Sequence, residues 1–305
     1  MSRRLLVTGA TGKQGGALIT ALTSIPNQPF EILAVTRNKT SSSAQRLAAK
    51  PGVKIIEGNL DNVDAIFNQI PKPLWGLFSV PIMDKGHERE EFQGKALTKA
   101  AVTAGVSHIV FTSTDRGGQI ASEGNPTTVP HFASKLRIED DIKAHAAAQK
   151  DGKLTYTFLR PVAFFENMLD NFIGRAFASM WRLNGAERPL QLIATSDIGR
   201  VAAEAFLSHD SKEYRNAAVS LAGDELSVDE AAKVFKEETG QSMPETYSWL
   251  AGAIRYAVKD LREMFGWFRK SGFGVDVAQV RQRYPFMKDF RTWLREESAW
   301  KNVKA

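Results

Sequence analysis

The chain has 305 residues, of which 43% are hydrophobic and 24% charged, and it contains no cysteine. This balance is typical of a globular protein with a full core, and the missing cysteines exclude disulfides, thiolate metal sites and cysteine nucleophiles. The net charge is +6, from 40 basic and 34 acidic residues, without a run of five like charges. A nucleic-acid-binding arm is therefore not expected.

The sequence is not expected to contain a membrane-spanning or secretory segment. No stretch approaches 18 uninterrupted apolar residues, so neither a transmembrane helix nor a membrane partner is expected. Two arginines precede Leu5-Leu6-Val7, an apolar run too short for a secretory signal. We therefore expect an intracellular protein in the cytoplasm, with the nucleus as a second location.

Residues 1–160 alternate short apolar runs with longer amphipathic ones. The predicted strands are Leu5–Thr8, Ile32–Thr36, Val53–Glu57, Leu74–Val80, His108–Thr112 and Leu154–Leu159. The predicted helices are Lys13–Ile25, Ser42–Lys50, Val63–Ile70, Glu88–Ala104 and Lys135–Gln149. The alternation predicts βαβ units and hence an α/β fold with a Rossmann-type, doubly wound parallel sheet. Asp61 is the expected N-cap of the third helix, and Gly105 is expected to end the fourth.

The pattern changes after residue 160 and predicts a smaller, mostly helical C-terminal lobe. Aromatic residues become dense and either line an apolar pocket or form the core of the lobe, the more usual outcome at helical spacing. Two short strands are predicted at Leu190–Ala194 and Ala217–Leu221, so parts of 190–222 are expected to complete the sheet. The predicted helices are Val201–Leu207, Val228–Thr239, Thr246–Phe265 and Lys288–Glu297.

Glycines follow the first predicted strand with the spacing G-x-x-G-x-x-G, at Gly9, Gly12 and Gly15. Gly9 suits a tight turn, Gly12 lets the backbone approach a pyrophosphate, and Gly15 lets the helix pack closely on the strand. The first N–H groups of the helix would then face the anion. The predicted contacts are Gly9, Ala10, Thr11, Gly12, Lys13 and Gln14. An ordinary glycine-rich turn is the alternative interpretation.

The residues after the second strand, Arg37, Asn38 and Lys39, indicate which dinucleotide binds. An Asp or Glu about 20 residues past the glycines usually contacts the ribose of NAD. Arg37 stands there instead, 22 positions after Gly15. Because a guanidinium forms charge-assisted, bidentate bonds to phosphate, we predict NADP(H) rather than NAD(H). A solvated arginine in a polar loop is the alternative.

Two further strand ends are candidates for the same crevice, because the carboxyl ends of parallel strands face the ligand. Asn59 and Leu60 follow the third strand, where an adenine would lie, although a turn with a helix cap explains them equally well. Val80 and Pro81 end the fourth strand and are candidate neighbours of the nicotinamide ribose, or only a strand end.

Five segments together resemble NmrA-like proteins, which are atypical members of the short-chain dehydrogenase/reductase superfamily. The segments are 8–16, 35–38, 93–95, 131–135 and 164–168. Residues 289–294 also suit the C-terminal helix of that family, so the resemblance runs through the whole chain. The family includes fungal regulators of nitrogen metabolite repression and a human NADPH sensor, and quinone and isoflavone-type reductases are close relatives.

The resemblance implies that residues from both halves of the chain contact the dinucleotide. Besides the glycine turn and Arg37, the implied contacts are Asn59, Val80, Lys95, Lys135, Ala163, Phe164, Phe165 and Glu166. For Lys95, a solvated helix face is the simpler interpretation of the sequence alone. Residues 1–160 are thus expected to form the NADP(H)-binding Rossmann domain, and 161–305 a smaller lobe for a substrate or partner.

The usual enzyme of this superfamily pairs a tyrosine acid/base with a lysine as Y-x-x-x-K, and has a serine at the end of the preceding strand. Ser113 and Lys135 occupy two of these positions, but His131 stands where the tyrosine is expected. Histidine can donate or accept a proton, although a neighbouring lysine cation favours its neutral form. These three are the candidate catalytic residues, and Lys135 acting alone is also open, because isoflavone-type relatives use a lysine without the tyrosine. The remaining histidines lack ligand spacing, so no metal is expected.

Two functions are compatible with these residues. In the first, the protein binds NADP(H) and reports the state of the cofactor to a protein partner, with little or no dehydrogenase activity. In the second, it is an NADPH-dependent reductase of a quinone, an enone or a secondary metabolite. An intact dinucleotide site beside a missing tyrosine favours the first, and the retained Ser113 and Lys135 favour the second. Direct contact with nucleic acid is expected in neither.

Overall fold

The computed structural model describes residues 3–81, 86–149 and 152–303. The strands are β1 Arg3–Val7, β2 Phe30–Thr36, β3 Val53–Glu57, β4 Gly76–Ser79, β5 His108–Thr112, β6 Thr155–Pro161, β7 Ala163–Phe164, β8 Leu190–Ile193, β9 Ala217–Leu221 and β10 Asp224–Leu226. The helices are α1 Lys13–Thr23, α2 Ser42–Ala48, α3 Val63–Phe67, α4 His87–Thr103, α5 Pro130–Ala148, α6 Phe172–Arg182, α7 Thr195–Leu207, α8 Val228–Thr239, α9 Ser248–Ala257, α10 Lys259–Lys270, α11 Val277–Arg283 and α12 Phe290–Glu296.

The described strands form one large sheet with the order β3-β2-β1-β4-β5-β6-β9 and a small one with the order β10-β8-β7. Every pairing from β3 to β6 is parallel, which confirms the predicted α/β, Rossmann-type fold. Because β1 pairs with both β2 and β4, the strand order reverses at β1. In such a sheet, ligands bind beyond the carboxyl ends of the strands at this switch point.

Several element boundaries differ from the prediction. Helix α5 begins at Pro130 rather than at Lys135, which places His131 and Lys135 on one helix. The helix predicted over 246–265 is two helices, α9 and α10, because Val258 has an extended backbone (φ −95°, ψ 105°). Strand β9 completes the large sheet as expected, whereas β8 belongs to the small one.

The two predicted helix ends had different outcomes. Asp61 is not the cap of α3, because the Asn62 side chain accepts the bond from the Ala65 N–H at 3.2 Å. Gly105 follows the last helical residues of α4 with φ +73°, a left-handed conformation that favours glycine, so it ends that helix as predicted.

The chain divides into two compact units. The first comprises Met1–Ser113, Ser134–Arg160 and Ile198–Val219, and the second comprises Thr114–Ala133, Pro161–Asp197 and Ser220–Ala305. The division predicted at residue 160 coincides with one of the points where the chain passes from one unit to the other. A boundary between independently folding domains at that residue stays a prediction.

Each unit has its own apolar core. In the first unit, side chains from the strands pack against those of α3, α4 and α5. In the second, the core is rich in aromatic residues, including Phe165, Phe177, Trp181, Phe265 and Trp293. The aromatic residues that follow residue 160 therefore serve mainly as core, the more usual of the two interpretations offered for them.

A histidine is fully buried in the first unit. The His108 ring lies on β5, with Nδ1 2.7 Å from Thr155 Oγ1 and Nε2 3.1 Å from Thr157 Oγ1. The Thr157 hydroxyl donates to the Tyr214 carbonyl at 2.6 Å, so Nε2–H donates to Thr157. The Thr155 hydroxyl has two acceptors within reach, Nδ1 of a neutral ring and the Ser107 carbonyl at 3.1 Å. Burial lowers the pKa of His108 to about 3.

This histidine makes stability depend on pH. An unfolded histidine has a pKa of about 6.5, so below that pH the unfolded chain binds a proton that the native state excludes. The contribution of His108 to the free energy of unfolding is complete above pH 6.5 and is lost as the pH falls toward 3. At pH 5 the loss is about 2 kcal/mol. Urea unfolding of the wild type and His108→Gln at pH 7.5 and 5.0 measures this loss. Equal losses in both proteins would assign the pH dependence to other groups.

Candidate functional site

The turn between β1 and α1 requires its glycines. Gly9 has φ +60°, and the Gly12 N–H donates to its carbonyl at 2.9 Å. A Cβ added at Gly15 would lie 2.4 Å from the Gly9 oxygen, and one at Gly12 would lie 3.1 Å from it. The first turn of α1 is therefore packed directly on the turn that precedes it, as the glycine spacing predicts.

The N-terminus of α1 is open to an anion. Its N-cap is Gly12, and in this part of the described chain neither a capping side chain nor an acidic residue occupies the first turn. Thr11, Gly12 and Lys13 are exposed, and the buried Oε1 of Gln14 has no hydrogen-bond partner among the described residues. Uncapped N–H groups at the positive end of a helix dipole form a binding site for phosphate.

The carboxyl ends of β1, β4 and β5 present hydroxyl groups. Thr8 Oγ1 donates to the Phe78 carbonyl at 3.0 Å and accepts from the Val80 N–H at 2.8 Å, which ties the ends of β1 and β4 together. Ser79 Oγ and Thr112 Oγ1 are buried, and within the described residues neither has a hydrogen-bond partner. Because buried hydroxyls usually have a partner, each of these two atoms marks a position where a polar ligand can reach a strand end.

Lys135 is held at this edge by a buried acid that the sequence did not single out. Its Nζ lies 2.9 Å from Glu90 Oε1 and donates to the Thr112 carbonyl at 3.0 Å. The Ser134 hydroxyl donates to the other Glu90 oxygen at 2.6 Å. Glu90 is 1% exposed and Lys135 is 6% exposed. The ammonium is therefore fixed in position and paired with one negative charge.

The other two candidate catalytic residues fall in different units. Ser113 is buried at the end of β5 in the first unit, where its N–H donates to the Leu159 carbonyl at 2.7 Å. His131 belongs to the second unit and is half-buried, with its ring 5.8 Å from that of Phe132. A catalytic role for either residue stays a prediction.

The loop after β2 leaves the Arg37 side chain exposed. The Asn38 side chain accepts bonds from the Thr40 N–H and hydroxyl at 2.8 and 2.7 Å. The Lys39 N–H donates to Glu57 at 3.1 Å, and Ser41 caps α2. The loop is therefore ordered by its own polar groups and by Glu57 of β3. The Arg37 guanidinium lies at the surface, where the 2′-phosphate of a dinucleotide can approach it.

Five further predicted cofactor contacts lie in the first unit. Leu60 is buried in the core, so its side chain is not available to a ligand, whereas Asn59 is exposed and accepts from the Asp61 N–H at 3.1 Å. Lys95 pairs with Glu91 at 2.7 Å and lines a cavity of about 900 Å³ between α3, α4 and α5. Val80 is half-buried beside Gly9, and Pro81 is buried.

In the second unit, the residues from Ala163 to Glu166 mainly make packing contacts and hydrogen bonds within that unit. Phe165 is fully buried and stacks on Phe290 and Trp293, with centroids 5.6 and 5.5 Å away. Glu166 accepts bonds from the Thr195 N–H at 2.8 Å and hydroxyl at 2.5 Å, at the start of α7. Ala163 and Phe164 are half-buried in β7. Contacts from these residues to a cofactor stay a prediction.

Glu90 and Asp115 are among the buried carboxylates that the sequence analysis did not single out. Glu90 could have been found, because it lies on the apolar face of α4 with Leu97 and Ala101, where an acid needs a partner. In the second unit, the fully buried Asp115 accepts from the Gly118 N–H, the Ser220 hydroxyl and the Gly274 N–H at 2.9, 2.8 and 3.2 Å. No local sequence pattern predicts the hydrogen bonds around Asp115.

The sequence of the chain matches a known protein family. Residues 1–292 match the NmrA-like family. The chain belongs to that family.

Several curated relatives within the family are named oxidoreductases. The NmrA-like family domain-containing oxidoreductase lnaB of Aspergillus flavus is 26% identical over 91% of this chain and 88% of its own length. The corresponding himF protein of Aspergillus japonicus is 29% identical over 54% of this chain, a match that covers 48% of himF.

Solved structures share the NmrA-like fold at lower identity. A mutant of NmrA, a protein described as a negative transcriptional regulator, aligns with a TM-score of 0.74 and 18% identity over 99% of this chain and 97% of its own. The triphenylmethane reductase of Citrobacter sp., solved with NADP(H), has a TM-score of 0.71 and 18% identity over 95% of this chain and 98% of its own. NmrA has also been solved with NAD and with NADP.

The described part of the chain offers neither a membrane-spanning helix nor a metal-binding cluster. Across residues 3–81, 86–149 and 152–303, none of the helices combines the length and the apolar character needed to cross a bilayer. In the same residues, no group of three or more metal-ligating side chains is placed to hold an ion.

Proposed function

We propose that this NmrA-like protein binds NADP(H) at the carboxyl edge of its large sheet. The observation that carries the proposal is the uncapped N-terminus of α1, packed on a turn that only glycine fits. The residues present suit such a ligand, because the unpartnered hydroxyls of Ser79 and Thr112 lie on neighbouring strands at the same edge. The helix would hold the pyrophosphate, and the strand ends would face the nicotinamide half.

Arg37 is proposed to select the 2′-phosphate. Its exposed guanidinium follows β2, and a bidentate bond to phosphate contributes roughly 1.5–3 kcal/mol. The Citrobacter reductase, solved with NADP(H), supports this choice of cofactor, whereas NmrA has been solved with both NAD and NADP.

Replacing Arg37 by alanine is expected to weaken NADPH binding about 10- to 100-fold and to leave NADH binding within about twofold, because only NADPH carries the phosphate that the guanidinium contacts. Fluorescence titration of both cofactors measures the two affinities. Arg46→Ala, on the following helix, is the control and should change neither. An equal loss for NADPH and NADH in Arg37→Ala would contradict the assignment.

For the role of the bound cofactor, we propose a regulator that responds to its oxidation state and signals to a protein partner. The usual tyrosine is replaced by His131, and Lys135 is already engaged by Glu90 and the Thr112 carbonyl. This arrangement binds a dinucleotide without an evident proton donor for a carbonyl substrate. Regulation requires different affinities for the two protein conformations, which the cofactor would provide.

A second candidate is an NADPH-dependent reductase of a quinone, an enone or a secondary metabolite. The specific observation in its favour is the oxidoreductase name of lnaB, which matches 91% of this chain. When bound, the cofactor would supply the hydride. The third hydrogen of the Lys135 ammonium, the His131 ring or water would supply the proton.

One experiment separates the two roles. The protein is mixed with NADPH and a panel of quinones and enones, and cofactor oxidation is followed by absorbance for the wild type and Lys135→Met. Saturable NADPH binding without oxidation of any panel member supports the regulator. Oxidation that is lost in Lys135→Met supports the reductase.

A further inference from the structure

We propose that Glu90 sets the relative affinity of this site for oxidised and reduced cofactor, by cancelling the charge of Lys135. The proposal rests on the proposed NADP(H) function and adds the reason why the intact site penalises neither redox state by its charge. Glu90 acts through Lys135 and through the local field, so it is a positioning residue.

The Glu90–Lys135 pair is buried in the first unit. Both side chains are almost fully buried, and their charged atoms are 2.9 Å apart. The Ser134 hydroxyl, 2.6 Å from Glu90 Oε2, fixes the carboxylate from the same turn of α5 that carries Lys135. Charges in such an environment are screened much less than surface charges, so their sum acts on neighbouring groups.

The pair lies at the carboxyl end of β5. The Lys135 ammonium donates to the carbonyl of Thr112, the last residue of β5, whose own hydroxyl has no partner among the described residues. β5 lies beside β4, so the pair is at the carboxyl edge where the nicotinamide half of the cofactor is proposed to bind.

The two redox states of the cofactor differ in charge. An oxidised nicotinamide ring carries one positive charge and a reduced ring carries none, while the rest of the cofactor is the same. A lone ammonium would therefore disfavour the oxidised form only, and a lone carboxylate would favour it. The intact pair has no net charge, so neither redox state is penalised.

The test is the ratio of the dissociation constants for NADP⁺ and NADPH. Glu90→Gln keeps the shape of the side chain and leaves the ammonium uncompensated, so NADP⁺ should weaken about tenfold relative to NADPH, as expected for one charge acting across about 10 Å at an effective dielectric of about 20. Lys135→Met should shift the ratio in the opposite direction. The double variant, which is again neutral, should return the ratio to within about threefold of the wild type.

Glu91→Gln is the matched control. It removes the same charge one residue away, but Glu91 is partly exposed and pairs with Lys95 and Arg137 on another face of α4, so the ratio should not move. The proposal is overturned if Glu90→Gln and Lys135→Met weaken both redox states equally, or if Glu91→Gln shifts the ratio as much. If the Glu90→Gln protein does not fold, the Lys135→Met and double variants still decide the sign. Absence of binding by the wild type would instead contradict the proposed function.

Discussion

Gly15→Ala is expected to lower the affinity for NADPH about 100-fold. The added Cβ would lie 2.4 Å from the Gly9 carbonyl oxygen, which is backbone and cannot rotate away. Helix α1 must shift from β1, and one or two charge-assisted bonds from its N–H groups to the pyrophosphate would be lost, each contributing about 1.5–3 kcal/mol. Overpacking of this contact should also cost about 1–3 kcal/mol of unfolding free energy.

Gly16→Ala is the control for this prediction. It lies next to Gly15 in the same helix, but its added Cβ would be 3.4 Å from the Ala10 carbonyl oxygen, an ordinary contact. Alanine also stabilises a helix relative to glycine, by about 0.8–1 kcal/mol. Fluorescence titration should therefore give near-wild-type affinity for Gly16→Ala. Equal affinities for both variants would show that the glycine turn does not hold the pyrophosphate.

Glu139→Ala is expected to cost about 3–5 kcal/mol of unfolding free energy. Glu139 and Arg160 are both fully buried, and the guanidinium donates to the two carboxylate oxygens at 3.0 and 2.6 Å. Removing the acid leaves a buried cation without its paired charge, which is far more costly than loss of a surface pair. The pair joins α5 to β6, so its loss should also loosen the helix that carries Lys135.

Urea unfolding measures this cost, with Glu91→Ala as the control. The Glu91–Arg137 pair is partly exposed, and its loss should cost less than about 1 kcal/mol. In the double variant Glu139→Leu/Arg160→Met, the buried charges are removed together, and at least half of the lost free energy should return. A cost below 1 kcal/mol for Glu139→Ala would mean that the pair is not a principal support of α5.

The sequence predicts best those features that depend on neighbouring residues. The glycine turn is local: Gly9, Gly12 and Gly15 follow an apolar strand and precede a helix. The structure gives Gly9 a φ of +60° and leaves no room for a Cβ at Gly15, which would lie 2.4 Å from the Gly9 oxygen. Strand β5 and helix α8 have the predicted bounds for the same reason, because their apolar runs end at clear polar or glycine signals.

Features that depend on distant residues were not predictable in this way. Asp61 has the composition of a helix cap, but Arg89 and Gln93 bind its carboxylate from α4, and the adjacent Asn62 caps α3. Ser134 reaches Glu90 across 44 residues of sequence, and the charge balance at Lys135 depends on that contact. The break at Val258 carries neither a proline nor a glycine, so the periodicity of α9 and α10 appears continuous in the sequence.

Calorimetric titration of the wild-type protein with NADPH tests the central claim most directly. We expect saturable binding at one site, with an affinity at least about tenfold higher than for NADH, since Arg37 would contact only the phosphate that NADPH carries. Absence of saturable heat with NADPH and NADP⁺ at millimolar concentration would contradict it.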